Sequence, residues 1–184
     1  MKNQRGLTLL ELLIAIAIGV ILVGVGVPNF LATIRNSQMT SATNGLVGAL
    51  YTARSEAVKR RARVTLCRAA AVGDNPVCNR DGDRLLVFEN VNNDLSFDGA
   101  DTLVRFAPWL TETQQPVYDA VPEAFSFNAS GFTRDQAGNV VNGTVVMCDD
   151  RGNDLARAIL ISPTGRANIR PRNDVGGAPN CPTL

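Results

Sequence analysis

The chain has 184 residues, with 18 basic and 17 acidic side chains and a formal net charge of +1. This balance excludes a global attraction to nucleic acid or to a membrane surface, so any such binding must come from a local cluster. The absence of histidine removes Ser/His/Asp and Cys/His catalysis and histidine metal ligands. The carboxylates are scattered and form no acid/base pair. We therefore expect no enzyme activity, no catalytic residue, no metal site and no cofactor.

The first predicted element is a membrane-spanning helix over residues 7–27, which are apolar apart from Thr8 and Glu11. At about 1.5 Å per residue, this length just crosses a hydrocarbon core of about 30 Å. Lys2 and Arg5 precede the segment and should stay on the cytoplasmic side. The rest of the sequence has no second apolar span, so we predict a single-pass anchor with the C-terminal part outside.

Glu11 is unusual because a carboxylate inside an apolar span is costly and normally has a partner. A cut after Gly6 would create an α-amino group at Leu7, which is the nearest possible partner. Alternatively, Glu11 lies only about one turn inside the span and extends to the membrane interface. These physical arguments alone favour neither interpretation.

Residues 28–60 are predicted to continue as an amphipathic helix, because apolar side chains recur at steps of three and four residues. The members of this stripe are Met39, Ala42, Leu46, Ala49, Leu50, Ala53 and Ala57. Six basic residues follow between Arg54 and Arg68, with Glu56 as the one acid. This cluster is either a solvated helix end or a patch that faces an anion.

Residues 61–184 are predicted to form a β-rich domain, because short apolar runs alternate with turn sequences such as Asp-Gly and Asn-Gly. The runs lie at residues 64–67, 85–88, 103–106, 124–127, 144–148, 157–161 and 166–170. The second and third are predicted to pair as a hairpin around a long polar loop. Residues 114–122 are predicted as a loop and residues 173–184 as an irregular tail. One long helix followed by many short strands indicates an α+β fold.

Four cysteines without a CxxC spacing favour disulfides in an oxidising compartment over a zinc site. Three pairings are possible. We favour Cys67–Cys78 and Cys148–Cys181 because these pairs close the shortest loops. The second pair would also hold the C-terminal segment.

The N-terminal sequence resembles the type III signal of type IV pilins and pseudopilins: a basic leader and Gly6, then Leu-Thr-Leu-Leu-Glu and an apolar helix. The resemblance implies that a prepilin peptidase removes residues 1–6 and that Leu7 becomes N-methylated. It implies that Glu11 serves in assembly and that Pro28 is the proline that kinks the helix. The commonest first mature residue of the family is Phe, whereas this chain has Leu7.

The order of elements after the helix, and Ser-Pro-Thr-Gly-Arg at residues 162–166 in particular, resemble the GspH/FimT family. This resemblance implies a pilin-like fold in which two antiparallel β-sheets pack on the C-terminal half of the helix. It also implies an inner-membrane protein with a periplasmic domain that later enters a pilus or pseudopilus. Its partners would be the prepilin peptidase and other pilins or pseudopilins.

Three functions follow from the resemblance. The first, which we favour, is a minor pilin-like structural subunit of a type IV pilus. The second is a pseudopilin of the H type in a type II secretion system, and the sequence cannot separate these two. The third is a FimT-like pilin that binds DNA during natural transformation.

The DNA-binding alternative depends on Arg166, Arg170 and Arg172, which would share one face of an extended strand and suit a phosphate backbone. The motif of the FimT-like members is a Gly-Arg-x-Arg run, whereas here Asn168 takes the place of the second arginine, which is displaced to Arg170. The alternative interpretation is a sheet edge protected from aggregation by charge.

The Asn- and Asp-rich residues 90–101 match the ligand spacing of a calcium loop. They lack its sharp-turn glycine and its bidentate glutamate, and strands rather than helices flank them. A solvated hairpin tip explains them better, because Asn and Asp favour turns.

Overall fold

The computed structural model describes residues 8–72, 75–79, 82–92, 94, 97–110, 115–119, 124–135 and 138–182. The chain divides into two compact units, Met1–Gln38 and Met39–Leu184. One helix, α1 (Leu9–Arg60), contributes residues to both units.

The part of α1 in the second unit buries one stripe of side chains, as the three- and four-residue spacing predicts. All seven predicted positions are at most 3% exposed. Thr43 joins them, and its hydroxyl donates a hydrogen bond of 2.7 Å to the Met39 carbonyl. The helix ends where Arg61 adopts a left-handed φ of 53° and the Ala62 N–H bonds back to the Ala57 carbonyl at 3.2 Å. This arrangement satisfies a carbonyl at the end of the helix.

The first sheet is six-stranded and antiparallel, with the order β4-β3-β1-β6-β7, and β2 pairs with β1. Its strands are β1 (Val64–Val72), β2 (Asn75–Cys78), β3 (Arg84–Glu89), β4 (Thr102–Pro108), β6 (Ala124–Phe127) and β7 (Thr133–Arg134). Strands β3 and β4 form the predicted hairpin, with Leu86 opposite Phe106.

The second sheet is four-stranded and antiparallel, with the order β10-β9-β8-β5. Its strands are β5 (Gln115–Asp119), β8 (Gly143–Cys148), β9 (Arg157–Ile161) and β10 (Ala167–Pro171). Short 3-10 helices follow β8, at Asn153–Leu155, and β10, at Arg172–Asp174. One long helix with two antiparallel sheets confirms the predicted α+β, pilin-like fold.

The main core lies between the helix stripe and one face of each sheet. Val64, Leu66 and Phe127 from the first sheet, and Met147 and Ile159 from the second, are at most 1% exposed. Each such large side chain contributes about 1.5–3 kcal/mol on burial. The helix stripe contributes mainly alanine and leucine side chains to this core.

Trp109, the only tryptophan of the sequence, belongs to this core rather than to a binding surface. Its side chain is 9% exposed, and its indole N–H donates a hydrogen bond of 2.7 Å to the Ala42 carbonyl. A Cβ at Gly45 would lie 3.3 Å from the indole Cδ1 atom. The glycine at this position therefore leaves room for the tryptophan.

The structure corrects the prediction that residues 114–122 form a loop. Gln115–Asp119 is strand β5, and it pairs with β8 in the register Val117 to Val146. The sequence did not predict this strand because Pro116 lies within it. A proline is tolerated here because β5 lies at the edge of its sheet, where an N–H can go unused. Strand β2 was likewise not predicted, since Asn-Pro opens it.

The structure contains two disulfides, Cys67–Cys78 and Cys148–Cys181. They close loops with sequence separations of 11 and 33 residues. By the chain-entropy relation, loops of these sizes stabilise the fold by about 3 and 4 kcal/mol. The second disulfide holds the C-terminal segment against a small cluster that includes Val146 and Ala158.

Candidate assembly segment and polar surfaces

The start of α1 places Glu11 in a defined local structure. Thr8 precedes the helix, and its hydroxyl accepts a hydrogen bond of 3.2 Å from the Glu11 backbone N–H. This is the N-cap contact that Thr commonly makes, and a carboxylate in the first helical turn is favoured by the helix dipole. The sequence analysis missed this capping role of Thr8, although Thr-x-x-Glu is its usual signal.

The Glu11 carboxylate itself is exposed, and within the described residues it has no hydrogen-bond or ion-pair partner. It is the one charged side chain of α1 before Arg35. Gly6 and Leu7, which carry the predicted cleavage and methylation, lie outside the described residues. No described residue of the chain therefore provides a partner for the Glu11 carboxylate.

The apolar side chains around Glu11 are also uncovered. Every Leu, Ile, Val and Phe from Leu9 to Ile34 is between 38% and 76% exposed. The helix is long and apolar enough to cross a membrane, by length and composition. Such a surface on all sides of a helix requires either lipid or other helices around it.

Pro28 lies inside α1, and the helix continues through it. Proline lacks the N–H that would bond to the carbonyl four residues earlier. The next side chain, Asn29, donates a hydrogen bond of 3.0 Å to the Val25 carbonyl. The Asn29 side chain thus adds a hydrogen bond to the helix one residue after the backbone hydrogen bond that Pro28 cannot make.

The basic cluster that begins at Arg54 is divided: Lys59, Arg60 and Arg61 are exposed at the end of the helix, whereas Arg63 and Arg68 make structural hydrogen bonds. Arg63 donates to the Asp135 carbonyl at 3.4 Å and Arg68 to the Gly82 carbonyl at 2.9 Å. Burial lowers the pKa of the Arg63 guanidinium below its usual value. These arginines tie the end of the helix and β1 to neighbouring loops.

Glu56 organises the last turn of the helix. It accepts a hydrogen bond of 2.6 Å from Arg60 and lies 3.4 Å from the Lys59 ammonium group. Arg60 also bonds to Glu89 at the end of β3, at 3.1 Å. The hydrogen bond from Arg60 lowers the pKa of the Glu56 carboxyl, and the hydrogen bond to Glu56 raises the pKa of Arg60.

Arg54 joins two glycine turns, one from each sheet. Its Nε donates to the Gly131 carbonyl at 3.1 Å. Gly165 lies against the same turn, since a Cβ there would be 2.7 Å from the Gly131 oxygen. Both glycines have positive φ angles, 76° and 73°. The Ser-Pro-Thr-Gly-Arg motif thus supplies the glycine that lets the β9–β10 turn pack on the turn after β6, a role that its sequence did not reveal.

The predicted arginine face is smaller than expected. Strand β10 is an edge strand, and Arg166, directly before it, and Arg170, within it, are both exposed. Arg172 instead lies past the strand, in a 3-10 helix. Its guanidinium donates to the carbonyls of Ala178 and Pro179 at 2.6 and 3.1 Å. It therefore holds the C-terminal segment, and two arginines rather than three face solvent from this edge.

The Asn- and Asp-rich residues between β3 and β4 bond mainly to one another and to the backbone. Asn92 donates to the carboxylates of Asp94 and Asp98, and Asp101 accepts the N–H of Val91 at 3.0 Å. No group of three or more Asp, Glu, Cys or His residues that could hold a metal occurs among the described residues. The geometry fits a hairpin tip.

Two sequence families match the chain. The prokaryotic N-terminal methylation motif matches residues 1–27. The family of type II transport protein GspH matches residues 42–165. No curated protein matches the sequence significantly.

Crystal structures of the type IV minor pilin FimU from Pseudomonas aeruginosa PAO1 have the same fold. One crystal form is 23% identical over 79% of this chain and 97% of that one, with a TM-score of 0.58. A second form is 22% identical, with a TM-score of 0.56. The minor pseudopilin EpsH from the type 2 secretion system of Vibrio cholerae also matches, with 10% identity, a TM-score of 0.48 and 73% of this chain covered. Because the GspH match spans more than half of the sequence and the methylation motif precedes it, the chain belongs to the GspH family of pilin-like proteins.

Proposed function

We propose that this protein is a minor pilin-like structural subunit of a type IV pilus, assembled through its N-terminal helix. The observation that carries the proposal is the exposed Glu11 carboxylate, which has no partner among the described residues and lies in a part of α1, Leu9 to Ile34, whose large apolar side chains are all exposed. Support comes from the methylation motif and from the fold shared with FimU. The role is structural and involves no catalytic step.

In this proposal, residues 1–6 are a leader that a prepilin peptidase removes between Gly6 and Leu7, and Leu7 is then methylated. Residues 7–27 anchor the subunit in the inner membrane. Residues 28–60 form the second half of the helix, with Pro28 as the site of a kink, and residues 61–184 form the periplasmic domain.

Assembly then exchanges lipid for neighbouring helices around residues 7–27. This exchange costs little, because lipid tails and apolar side chains are similar environments. An unpaired carboxylate in the fibre core would be costly, whereas a neighbour's terminal amine would neutralise it. Glu11 would thus favour addition of a subunit whose leader has been removed, since only that subunit has an amine at Leu7.

The test is incorporation of Glu11→Ala and Glu11→Gln variants into sheared fibres, measured against the membrane-bound pool. We expect normal membrane insertion and loss of incorporation for both. Leu12→Ala is the matched control, since it removes a neighbouring exposed side chain without a charge. Wild-type incorporation of both Glu11 variants would refute the role of the carboxylate. Mass spectrometry of the mature N-terminus, with and without the prepilin peptidase, tests the cleavage separately.

A second candidate is a pseudopilin of a type II secretion system, favoured by the match to type II transport protein GspH. Its assembly chemistry would be the same, and only the machine would differ. Deletion of the gene separates the two, because loss of surface fibres supports the pilus and loss of exoprotein secretion supports the pseudopilus. DNA is a weaker candidate partner, because Arg172 is engaged with the C-terminal segment.

A further inference from the structure

A polar cleft lies at the β10 edge of the second sheet, beside Arg166. Its volume is about 580 Å³, within the range of about 300–1,000 Å³ typical of small-molecule sites. The side chains that give it hydrogen-bonding capacity are Tyr51, Asn142, Thr144, Ser162, Arg166 and Asn168. All of them belong to the second unit, and no Asp or Glu is among the described residues that line the cleft.

Tyr51 provides a fixed aromatic wall. Its hydroxyl donates a hydrogen bond of 3.3 Å to the Ala167 carbonyl at the start of β10. Its side chain is nevertheless 46% exposed. The ring also lines a second depression, of about 490 Å³, on the helix side. An aromatic ring held by its polar end and open to solvent offers an apolar surface against which a ligand can pack.

Three polar side chains of the cleft are available to a ligand. Within the described residues, no hydrogen bond engages the side-chain amides of Asn142 and Asn168 or the guanidinium of Arg166. The Ser162 hydroxyl, by contrast, is engaged: it accepts the backbone N–H of Arg166 at 3.1 Å and bonds to the Thr164 hydroxyl at 2.9 Å. Amides can both donate and accept, whereas a guanidinium only donates and suits a carboxylate.

We propose that this cleft binds an acidic saccharide. The amides of Asn142 and Asn168 match the mixed donors and acceptors of sugar hydroxyls. The C–H face of a sugar ring packs on Tyr51, and Arg166 pairs with a carboxylate. The positive charge of Arg166, with no acid among the described lining residues, favours an anion, and the aromatic wall of Tyr51 favours a ring. The protein would then bind surface or envelope polysaccharide in addition to its structural role.

Binding is measured by the fluorescence anisotropy of a labelled oligogalacturonate titrated with the full chain. The detergent should be a polyoxyethylene type, because sugar headgroups of alkyl glycosides would compete for the cleft. The methyl ester of the same oligomer is the matched neutral probe. We expect the ester to bind at least about tenfold more weakly, because it loses the charge-assisted hydrogen bond to Arg166, and the free energy of such a bond corresponds to about a tenfold change in affinity.

Two pairs of variants make the test specific. Arg166→Ala should weaken binding about tenfold, whereas Arg170→Ala, four residues further on in β10 and not among the lining residues, should change it less than about twofold. Tyr51→Ala should abolish binding and Tyr51→Phe, which keeps the ring, should retain it. The fluorescence of Trp109 shows in each case whether the domain is folded.

Three results would overturn the proposal. The first is no binding of the acid oligomer, and the second is equal binding of its ester. The third is an equal loss of affinity for Arg166→Ala and Arg170→Ala. That third result would indicate a diffuse attraction for any polyanion, duplex DNA included. The inference is independent of fibre assembly. Glu11→Ala protein should bind the saccharide like the wild type, so failure of one proposal is distinguishable from failure of the other.

Discussion

Gly165→Ala should destabilise the second unit strongly, because two costs add at this position. The φ angle of 73° is left-handed, which costs a residue with a Cβ about 1–2 kcal/mol. The new methyl group would also lie 2.7 Å from the Gly131 oxygen and 2.9 Å from the Phe127 ring. The first neighbour is backbone and the second is a buried side chain, so neither can move freely. Overpacking of this kind costs about 1–3 kcal/mol.

Gly177→Ala is the matched control, since Gly177 has a φ of 77° and nothing within 4 Å of its Cβ position. Both variants carry the same backbone cost and the same reduction of unfolded-state entropy. Their difference in free energy of unfolding, about 1–3 kcal/mol, therefore isolates the clash. Urea unfolding of the full chain in detergent, followed by the fluorescence of its single tryptophan, measures this difference. Equal stability of the two variants would show that the two turns do not pack as described.

Arg54→Met keeps the apolar stem but removes the hydrogen bond to the turn after β6, and should lower the free energy of unfolding by about 1–2 kcal/mol in the same urea assay. Arg172→Ala should make the C-terminal segment a faster site of limited proteolysis while its disulfide remains intact; an equal effect of Arg170→Ala would contradict this. Because Arg60 lowers the pKa of Glu56 in the folded state, the carboxylate stabilises the fold above its unfolded pKa near 4.5 and loses this effect as the pH falls. The stability difference between wild type and Glu56→Gln should therefore shrink between pH 7 and pH 3, and a constant difference would rule out the linkage.

The sequence predicted most accurately the elements in which apolar side chains form a regular pattern. The stripe on α1 was evident because burial on one face of a helix imposes a three- and four-residue period. The β3–β4 hairpin was evident because two apolar runs flank a polar loop. Both signals are local. All seven stripe positions are buried, and β3 pairs with β4 with one irregularity, between Val87 and Phe88.

What the sequence did not predict depends on contacts between distant residues. Strand β5 exists because β8 provides its partner, and Pro116 is acceptable only at a sheet edge. Arg172 was expected on the face of β10, yet the acceptors offered by the C-terminal segment draw it away. The cleft at Tyr51 combines a helix with three strands. No periodicity in one segment could reveal these arrangements.

The two parts of α1 meet different requirements with similar amino acids. From Met39 onward, alanines and leucines on one side are covered by the protein's own sheets, so this part needs no partner for its apolar stripe. From Leu9 to Ile34, the apolar side chains surround the helix and none of the described residues covers them. Only this first part can therefore exchange one apolar environment for another without unfolding the domain. Its apolar side chains would be equally stable in lipid and in a bundle of helices. The Glu11 carboxylate would not be, because only a bundle of processed subunits offers it a terminal amine. The assembly proposal therefore depends on Glu11 and not on the sheets.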